Sequence, residues 1–343
     1  MLTSDFDYNL PQELIAQTPL PKREQSKMMI LHRQTGKIIH SRFEEFPDYL
    51  NKGDVLVLNN TKVIPARAWG KTEGKEIEFL FLKEIQEGLW EVLCRPAKKA
   101  KLRDVISFSP GFEGNIVKVE PEGKRVIRFS SGDVLSKLKK IGFAPLPPYI
   151  KRKKKNIEHR AKDLERYQTV FAQKEGAIAA PTAGLHFTPQ ILDRIKAKQI
   201  EIAEITLDVG LATFQPIRAK RVEDFCMLEE TYSISQAVSQ TINEAKKESR
   251  PIIAVGTTSV RTLESAFKKG EIHPGKSSTN LFIYPGYGFN IVDRILTNFH
   301  LPQSTLLMLV AAFAGLDFIK KAYQEAIRQK YRFYSYGDCM FIL

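Results

Sequence analysis

Six short β-rich segments follow one another between residues 63 and 130, and no helix of useful length fits between them. Turns containing Gly74, Gly88, Gly111 and Gly123 separate several of the segments. Short strands punctuated by such turns predict a small all-β module, either a barrel or a sandwich. The segments are residues 63–69, 77–82, 90–94, 105–108, 115–119 and 125–129.

The chain on both sides of this module has a different pattern, in which strands and helices alternate. Alternation of this kind predicts a layered α/β fold with a largely parallel sheet. Before the module we predict a short helix at 11–17, a hairpin of strands 27–32 and 37–40, and a buried strand at 54–58. After residue 166 we predict strands at 177–180, 201–209, 251–255, 281–284 and 291–298, and helices at 188–198, 235–248, 257–269 and 303–330.

The module therefore divides the chain into two predicted domains. Residues 1–60 and 150–343 form a discontinuous α/β domain, and residues 61–149 form an inserted β-barrel-like domain. The proline-rich stretch 145–149 is stiff and extended, as a junction between domains would be.

The net charge is the first indication of a partner. The chain has 52 basic and 39 acidic residues, a net charge of +13, and residues 95–103 and 151–166 each contribute +5 of it. Such an excess favours a polyanion, nucleic acid or an anionic membrane, although a solvated charge run on a loop is the alternative. The candidate phosphate-binding residues are Arg95, Lys98, Lys99, Lys101, Lys151, Arg152, Lys153, Lys154, Lys155 and Arg166.

Three features predict a reduced, cytoplasmic protein. The first ten residues have no basic start or apolar core, so we expect no signal peptide. The longest apolar run, 306–316, is about half of the ~20 residues that a membrane span needs. Three widely separated cysteines predict neither a disulfide nor a zinc site, which weakens the membrane option for the basic segments.

Two strand-to-helix turns rich in small and hydroxyl residues are the strongest local signal. In open α/β sheets, ligands bind beyond the carboxyl ends of strands, where helix N-termini offer free N–H groups. In the second turn, Thr257 or Thr258 would cap the helix, and Arg261 would lie one helical turn after its start. Together they could bind an anion or a carboxylate. Ordinary helix capping is the simpler alternative. The candidates are Pro181, Thr182, Ala183 and Gly184 in the first turn, and Gly256, Thr257, Thr258 and Arg261 in the second.

Neither turn matches a Walker motif or G-x-G-x-x-G, which disfavours a nucleoside triphosphate or NAD site. His186 and His300 lie where a pocket would form and are candidates for a general acid or base, with a structural histidine as the alternative. A Tyr–Asp cluster at 331–338 either stacks on a base or ribose or ends the fold. The candidate carboxylates are Asp208, Glu230, Glu264, Asp293 and Asp338.

Several long strings, distributed over nearly the whole chain, point to one family. They are LPQELIAQTP at 10–19, DVLVLNNTKVIPAR at 54–67, RPAKK at 95–99, PLPPYI at 145–150, RYQTVFA at 166–172, AAPTAGLHFT at 179–188, AVGTTSVRTLE at 254–264, FIYPGY at 282–287, TNFHLPQSTLLMLVAAFAG at 297–315 and YRFYSYGD at 331–338. In these strings and in their order, the chain resembles the S-adenosylmethionine:tRNA ribosyltransferase-isomerase family of queuosine biosynthesis.

The resemblance implies an α/β fold with an inserted β-barrel and a defined reaction. The ribosyl part of S-adenosylmethionine would be transferred and isomerised onto the 7-aminomethyl-7-deazaguanine wobble base in the tRNA anticodon arm. Epoxyqueuosine would form, and adenine and methionine would leave. S-adenosylmethionine is then a consumed substrate. We expect that the protein needs no cofactor or metal, does not bind a membrane and is a monomer.

The implied chemistry assigns candidate roles to the pocket residues. A general base should lie near the ribose C5′ protons, which the sulfonium acidifies, and an acid near the adenine. We assign these catalytic roles to His186, His300, Asp208 and Glu230. The two turns, together with Asn298, are the candidate S-adenosylmethionine site.

The sequence also departs from the family pattern. The family usually reads TLHVGxGTF and HKMHxE, where this chain has TLDVGLATF and FCMLEE, while Glu230 is retained. The changed positions are Asp208, Ala212, Phe225 and Leu228. Two alternatives therefore stay open: a divergent tRNA-binding homologue with weak or lost catalysis, and a different S-adenosylmethionine-dependent enzyme acting on RNA, such as a methyltransferase.

Overall fold

The computed structural model describes residues 1–130, 132–152, 157–210, 217 and 219–343. Within these residues the strands are β1 (Lys27–His32), β2 (Lys37–Arg42), β3 (Val55–Asn59), β4 (Thr61–Val63), β5 (Arg67–Thr72), β6 (Lys75–Gln86), β7 (Leu89–Arg95), β8 (Val105–Ser109), β9 (Phe112–Val119), β10 (Lys124–Phe129), β11 (Lys174–Ala177), β12 (Glu201–Leu207), β13 (Glu230–Ile234), β14 (Ile252–Val255), β15 (Phe267–Lys268), β16 (Glu271–Ile272), β17 (Gly275–Thr279), β18 (Arg294–Asn298) and β19 (Cys339–Ile342). The α-helices are α1 (Val134–Ile141), α2 (Ile157–Arg166), α3 (Pro189–Ala197), α4 (Gln236–Lys247), α5 (Thr257–Ala266), α6 (Thr305–Ala314) and α7 (Leu316–Arg328).

One large sheet forms the core of the α/β part, with strand order β17-β13-β12-β3-β14-β18-β19-β1-β2. Its central strands β12, β3, β14 and β18 pair in parallel, as β1 and β19 also do, whereas the remaining neighbours pair antiparallel. All five residues of β3 are buried, as expected for a strand covered on both faces. The predicted layered α/β fold is confirmed, with a sheet that is parallel at its centre and mixed towards its edges.

A closed six-stranded barrel, β10-β7-β6-β5-β8-β9, interrupts this fold as predicted. Aromatic rings fill it, and Phe81, Phe108, Phe112 and Phe129 pack together with centroid separations between 5.1 and 6.4 Å. Helix α1, which the sequence pattern did not predict, follows the barrel and buries Val134 and Leu138 in the same core. The domain boundaries at 60/61 and 149/150 stay a prediction.

Several predicted elements differ from the observed ones. The predicted helix at 11–17 is a single 3-10 turn, Gln12–Leu14. The strand expected at 177–180 lies earlier, as β11, where it pairs with β4. Residues 281–284 form no strand, because Ile283 is buried in the core as part of a loop and the Leu281 carbonyl accepts from Arg261 Nε at 3.0 Å. Helix α5 ends at Ala266, before the small hairpin β15–β16.

The long helix predicted over 303–330 is two helices, because Gly315 between them has a φ of 90°. That backbone conformation ends α6 and begins α7 at a new angle, and it favours glycine over any residue with a Cβ. Helix α6 is buried nearly all round, whereas α7 presents one apolar face to the core. The apolar pattern thus predicted the helical residues correctly but not the break.

Replacing Gly315 with alanine should lower the free energy of unfolding by about 1–3 kcal/mol, the cost of holding a residue with a Cβ in this region of backbone space. Urea denaturation measures the loss. Gly288→Ala is the matched control, because Gly288 has no positive φ and a Cβ there meets no atom within 4 Å. Equal stability of the two variants would contradict the explanation.

Candidate active site

Three segments that the sequence pattern singled out meet at one cleft, referred to here as the first cleft. Because β12, β14 and β18 run parallel, Val209, the second turn and residues 297–301, which follow or end these strands, meet at one edge of the sheet. The first turn follows β11, outside the large sheet, and reaches the same cleft. The first cleft is lined by Tyr149, Ala180, Pro181, Thr182, Ala183, Val209, Gly256, Thr257, Thr258, Thr297, Asn298, Phe299, His300, Leu301, Leu306, Tyr334 and Ser335. Gly184, the remaining candidate of the first turn, is buried against the ring of Phe171 and the methyl group of Thr169.

The start of helix α5 forms one wall of the cleft. Gly256, with a φ of 83°, is its N-cap, so the prediction that Thr257 or Thr258 caps the helix is wrong. The hydroxyl of Thr258 instead accepts from Asn59 Nδ2 at 3.4 Å, which ties the helix start to the end of β3. The first N–H groups of a helix have no intrahelical acceptor, so those of Thr257 and Thr258 are available to an anionic group in the cleft.

His186 and Asn298 form a buried hydrogen-bonded pair beside the cleft. His186 Nε2 accepts from Asn298 Nδ2 at 3.3 Å, so its Nδ1 carries the proton and donates to Ser26 Oγ at 2.7 Å. Asn298 Nδ2 also points at the carbonyls of Tyr334 and Asp338, whereas its buried Oδ1 has no partner. Asn298 therefore offers one unused acceptor where it lines the first cleft.

His300 is the second buried histidine of the cleft. Its Nε2 lies 3.0 Å from Thr297 Oγ1, its backbone N–H donates to Tyr323 Oη, and Tyr8 Oη donates to its carbonyl. In the described part of the chain, nothing hydrogen-bonds to its Nδ1. Burial lowers the pKa of His300 to about 3, so the imidazole is neutral at physiological pH.

Burial, with Arg23 and Arg332 nearby, likewise lowers the pKa of His186 to about 3. Below pH 6.5 the unfolded chain therefore takes up protons that the folded protein does not bind. The free energy of unfolding should decrease as the pH falls from 6.5 towards 3. Each of the two buried histidines, His186 and His300, should contribute up to about 1.4 kcal/mol per pH unit. Urea denaturation between pH 7 and pH 5 measures this slope. His300→Gln should make it shallower, and His273→Gln, at an exposed histidine, should leave it unchanged.

The other predicted catalytic and anion-binding groups do not line the first cleft. Glu230 and Arg261 form a buried ion pair with each other, and Glu230 also accepts from the Gly210 N–H at 2.9 Å. Arg261 further donates to the carbonyls of Leu281 and Thr279. The guanidinium of Arg261 thus points away from the N-terminus of α5, where the sequence spacing had predicted that it would bind a carboxylate.

Asp208, which follows β12, accepts from the hydroxyl of Thr61 at 3.0 Å and from that of Thr231 at 3.4 Å. Partial burial raises the pKa of its carboxyl group. The side chain of Asp208 is not part of the cleft lining, although the next residue, Val209, is. Its role as a base stays a prediction.

Three further carboxylates are structural, because each accepts backbone N–H groups outside the lining of the first cleft. Glu264 accepts from Ile291 and Val292, and Asp293 accepts from Ile252. Asp338 accepts from Lys27 and Arg332, and so holds the turn that carries the tyrosines of 331–338.

Aromatic side chains form another part of the lining. The rings of Tyr149 and Tyr334 lie 4.7 Å apart, and Tyr149 Oη is 2.6 Å from Ser335 Oγ. Sequence reasoning treated Tyr149 only as part of a domain junction and did not single out Ser335 or Asn59. The tyrosine in the PLPPYI string was the one available signal for Tyr149. Among the described residues, no aspartate, glutamate, lysine or arginine lines this cleft.

The basic residues lie outside the first cleft. Arg95, Lys98, Lys99 and Lys101 are exposed at the end of β7 and in the turn after it. Lys151 is exposed, Arg152 pairs with Asp163 at 2.9 Å, and Arg166 donates to the Leu20 carbonyl. The predicted contacts Lys153, Lys154 and Lys155 lie outside the described residues.

Of the departures from the family pattern, Asp208, Phe225 and Leu228 are not part of the cleft lining. Phe225 packs against Phe282 at 5.3 Å, and Leu228 is exposed. Ala212 is outside the described residues. In the part of the chain that is described, no group of three or more His, Cys, Asp or Glu side chains is placed to hold a metal ion, and no helix is long and apolar enough to cross a membrane.

A ligand cleft at the carboxyl edge of an α/β sheet, combined with an inserted barrel and exposed basic residues, defines a ligand-binding α/β protein suited to a polyanionic partner. The family model "Queuosine biosynthesis protein" matches residues 3–342. The chain therefore belongs to the queuosine biosynthesis protein family, an assignment that confirms the resemblance seen in the sequence.

Named relatives agree with this assignment. The chain is 49% identical to the S-adenosylmethionine:tRNA ribosyltransferase-isomerase of Carboxydothermus hydrogenoformans and 50% identical to that of Halothermothrix orenii, in both cases over 100% of each chain. It is also similar to the crystal structure of S-adenosylmethionine tRNA ribosyltransferase from Thermotoga maritima. That match has 36% identity and a TM-score of 0.56, and covers 99% of this chain and 100% of the other.

Proposed function

We propose that this chain is an S-adenosylmethionine:tRNA ribosyltransferase-isomerase. It transfers and isomerises the ribosyl part of S-adenosylmethionine onto the 7-aminomethyl-7-deazaguanine wobble base of tRNA, and releases adenine and methionine. The observation that carries the proposal is the first cleft, where the predicted segments 181–183, 256–258 and 298–300 meet around an uncharged, partly aromatic space. We further propose that the protein acts as a cytoplasmic monomer without a metal or cofactor.

The lining suits the three parts of the sulfonium substrate. Aromatic faces attract a sulfonium as they attract other cations, and the rings of Tyr149 and Tyr334 offer such faces. The N-terminus of α5, with the free N–H groups of Thr257 and Thr258, suits the methionine carboxylate. The unpartnered Oδ1 of Asn298 would accept from a ribose hydroxyl or from the adenine amino group.

His300 is the group best suited to move a proton in this cleft. It is neutral and lines the space, and its Nδ1 is unused by the described residues, whereas both ring nitrogens of His186 are engaged by Ser26 and Asn298. We therefore assign the proton transfer to His300 and a positioning role to His186. The latter holds Asn298 so that its Oδ1 stays free.

The anticodon arm would be held by the basic residues outside the cleft. Arg95, Lys98, Lys99 and Lys101 extend from the barrel, and Lys151 and Arg152 stand next to Tyr149 of the cleft wall. Point charges of this kind add affinity for phosphates without reading the sequence.

Adenine release tests the proposal directly. The protein is incubated with S-adenosylmethionine labelled in the adenine ring and with tRNA that carries the 7-aminomethyl-7-deazaguanine base. Labelled adenine and a modified anticodon are expected, and tRNA with guanine at the same position is the control. Tight tRNA binding without adenine release would leave only the tRNA-binding homologue. S-adenosylhomocysteine as the product would identify a methyltransferase instead.

A further inference from the structure

A second cleft adjoins the first one and contains an unusual concentration of guanidinium groups. It is lined by Pro19, Leu20, Arg23, Ser26, Arg166, Leu185, His186, Ser335, Tyr336 and Gly337. Ser335 lines both clefts, and Tyr334 and Tyr336 on either side of it face the first and the second cleft respectively. The two spaces are therefore neighbours separated by one residue of the chain.

Arg23 and Arg166 lie close together in this cleft, and the nearby carboxylate of Glu165 offsets the effect of Arg166 on Arg23 only in part. Arg23 donates to the carbonyls of Glu165, Gln168 and Leu185, and Arg166 donates to that of Leu20. Neither forms an ion pair within the described residues. Burial and the neighbouring Arg166 lower the pKa of Arg23. Keeping two cations together in a partly buried place costs free energy unless an anion joins them.

Buried polar atoms without a hydrogen-bond partner also indicate that this cleft binds an anion. Tyr336, which is 4% exposed, has a buried hydroxyl with no partner, and the buried Nε of Arg166 also has none. The side chain of Arg332, which lies near His186, has a third such atom in its Nη1. Buried polar atoms normally have partners, so this set of donors describes a site prepared for an oxyanion.

We propose that the second cleft binds a phosphodiester of the RNA, next to the nucleotide whose base enters the first cleft. This inference rests on the proposed function. Planar guanidinium groups with several donors recognise phosphate oxygens well. The position favours RNA, because Arg166 ends α2 and so belongs to the basic segment 151–166. The methionine carboxylate of S-adenosylmethionine is the other oxyanion that could reach this cleft, and the test distinguishes the two.

Binding of a synthetic, unmodified anticodon stem-loop RNA, measured at several salt concentrations, tests the proposal without requiring catalysis. Arg23→Gln and Arg166→Gln should each make the dependence of log affinity on log salt shallower by about one. Each should also weaken binding about threefold to tenfold at moderate salt. Tyr336→Phe should weaken binding about twofold to tenfold with an unchanged slope, because it removes a hydrogen bond but no charge.

Arg33→Gln is the matched control. Arg33 is half-buried and, like Arg23, donates only to backbone carbonyls, two of them in its case. It follows the carboxyl end of β1, whereas Ser26 precedes the amino end of that strand. Affinity and slope should not change in this variant, and thermal unfolding should verify that all variants fold. Arg23→Lys retains the charge, so it should restore the slope if a variant with glutamine is unstable.

The affinity for S-adenosylmethionine, measured by calorimetry on the same variants, gives the second readout. It should be unchanged. An unchanged RNA slope in folded Arg23→Gln overturns the proposal, and weaker S-adenosylmethionine binding in that case assigns the site to the methionine carboxylate. Absence of adenine release from the unaltered protein, with normal RNA binding, would instead count against the proposed function.

Discussion

Replacing Arg261 with methionine should lower the free energy of unfolding by about 3–5 kcal/mol, because Glu230 would keep a buried charge without its partner. The two side chains are 4% and 2% exposed, so water cannot replace the lost guanidinium. The carbonyls of Leu281 and Thr279 would lose a donor as well. Urea denaturation at neutral pH measures the change.

Arg250→Met is the matched control for this prediction. Arg250 pairs with Glu201 and Glu248, but those carboxylates are about half exposed or more, and surface pairs contribute only about 0–1 kcal/mol. The double variant Arg261→Met with Glu230→Gln should recover part of the loss, because it removes the unpaired charge. If Arg261→Met costs no more than Arg250→Met, the pair is not the stabilising feature described here.

The second large effect should be seen in catalysis. Replacing His300 with glutamine should reduce kcat for adenine release about 10²- to 10⁴-fold, the usual contribution of a positioned general acid or base. Glutamine retains an atom able to hydrogen-bond Thr297 Oγ1, so the fold should persist. Rates under single-turnover conditions, with saturating tRNA and S-adenosylmethionine, measure the chemical step.

Two comparisons make this result specific. His273→Gln, at an exposed histidine outside both clefts, should retain full activity. His186→Gln should raise KM as well as lower kcat, because His186 positions Asn298 and does not itself have a free ring nitrogen. A loss of less than tenfold in folded His300→Gln would assign the proton transfer to another group, with Asp208 the next candidate.

The sequence allowed the fold class to be predicted because its two parts have different local patterns. The barrel strands alternate and are bounded by turns, and β3 is a continuous apolar run. The position of the first cleft also followed from the sequence, since parallel strands bring their carboxyl ends together. These inferences need only neighbouring residues and a general rule of sheet topology.

Other features depend on where distant segments meet, and no local pattern contains that information. Arg261 was expected in the cleft from its spacing, but its direction is decided by Glu230, 31 residues away. Arg23 and Ser26 reach the second cleft through contacts with residues more than 140 positions away in sequence. The break at Gly315 was not predicted because the residues on both sides of it have an apolar pattern typical of a helix.

The strand order has a consequence for how the molecule is made. Strand β19 lies between β18 and β1, so the β1–β2 hairpin has no place in the sheet until residues 339–342 have been synthesised. The barrel has all its strands between residues 67 and 129 and can close much earlier. Limited proteolysis of stalled nascent chains should therefore find a protected barrel while the hairpin is still cleaved.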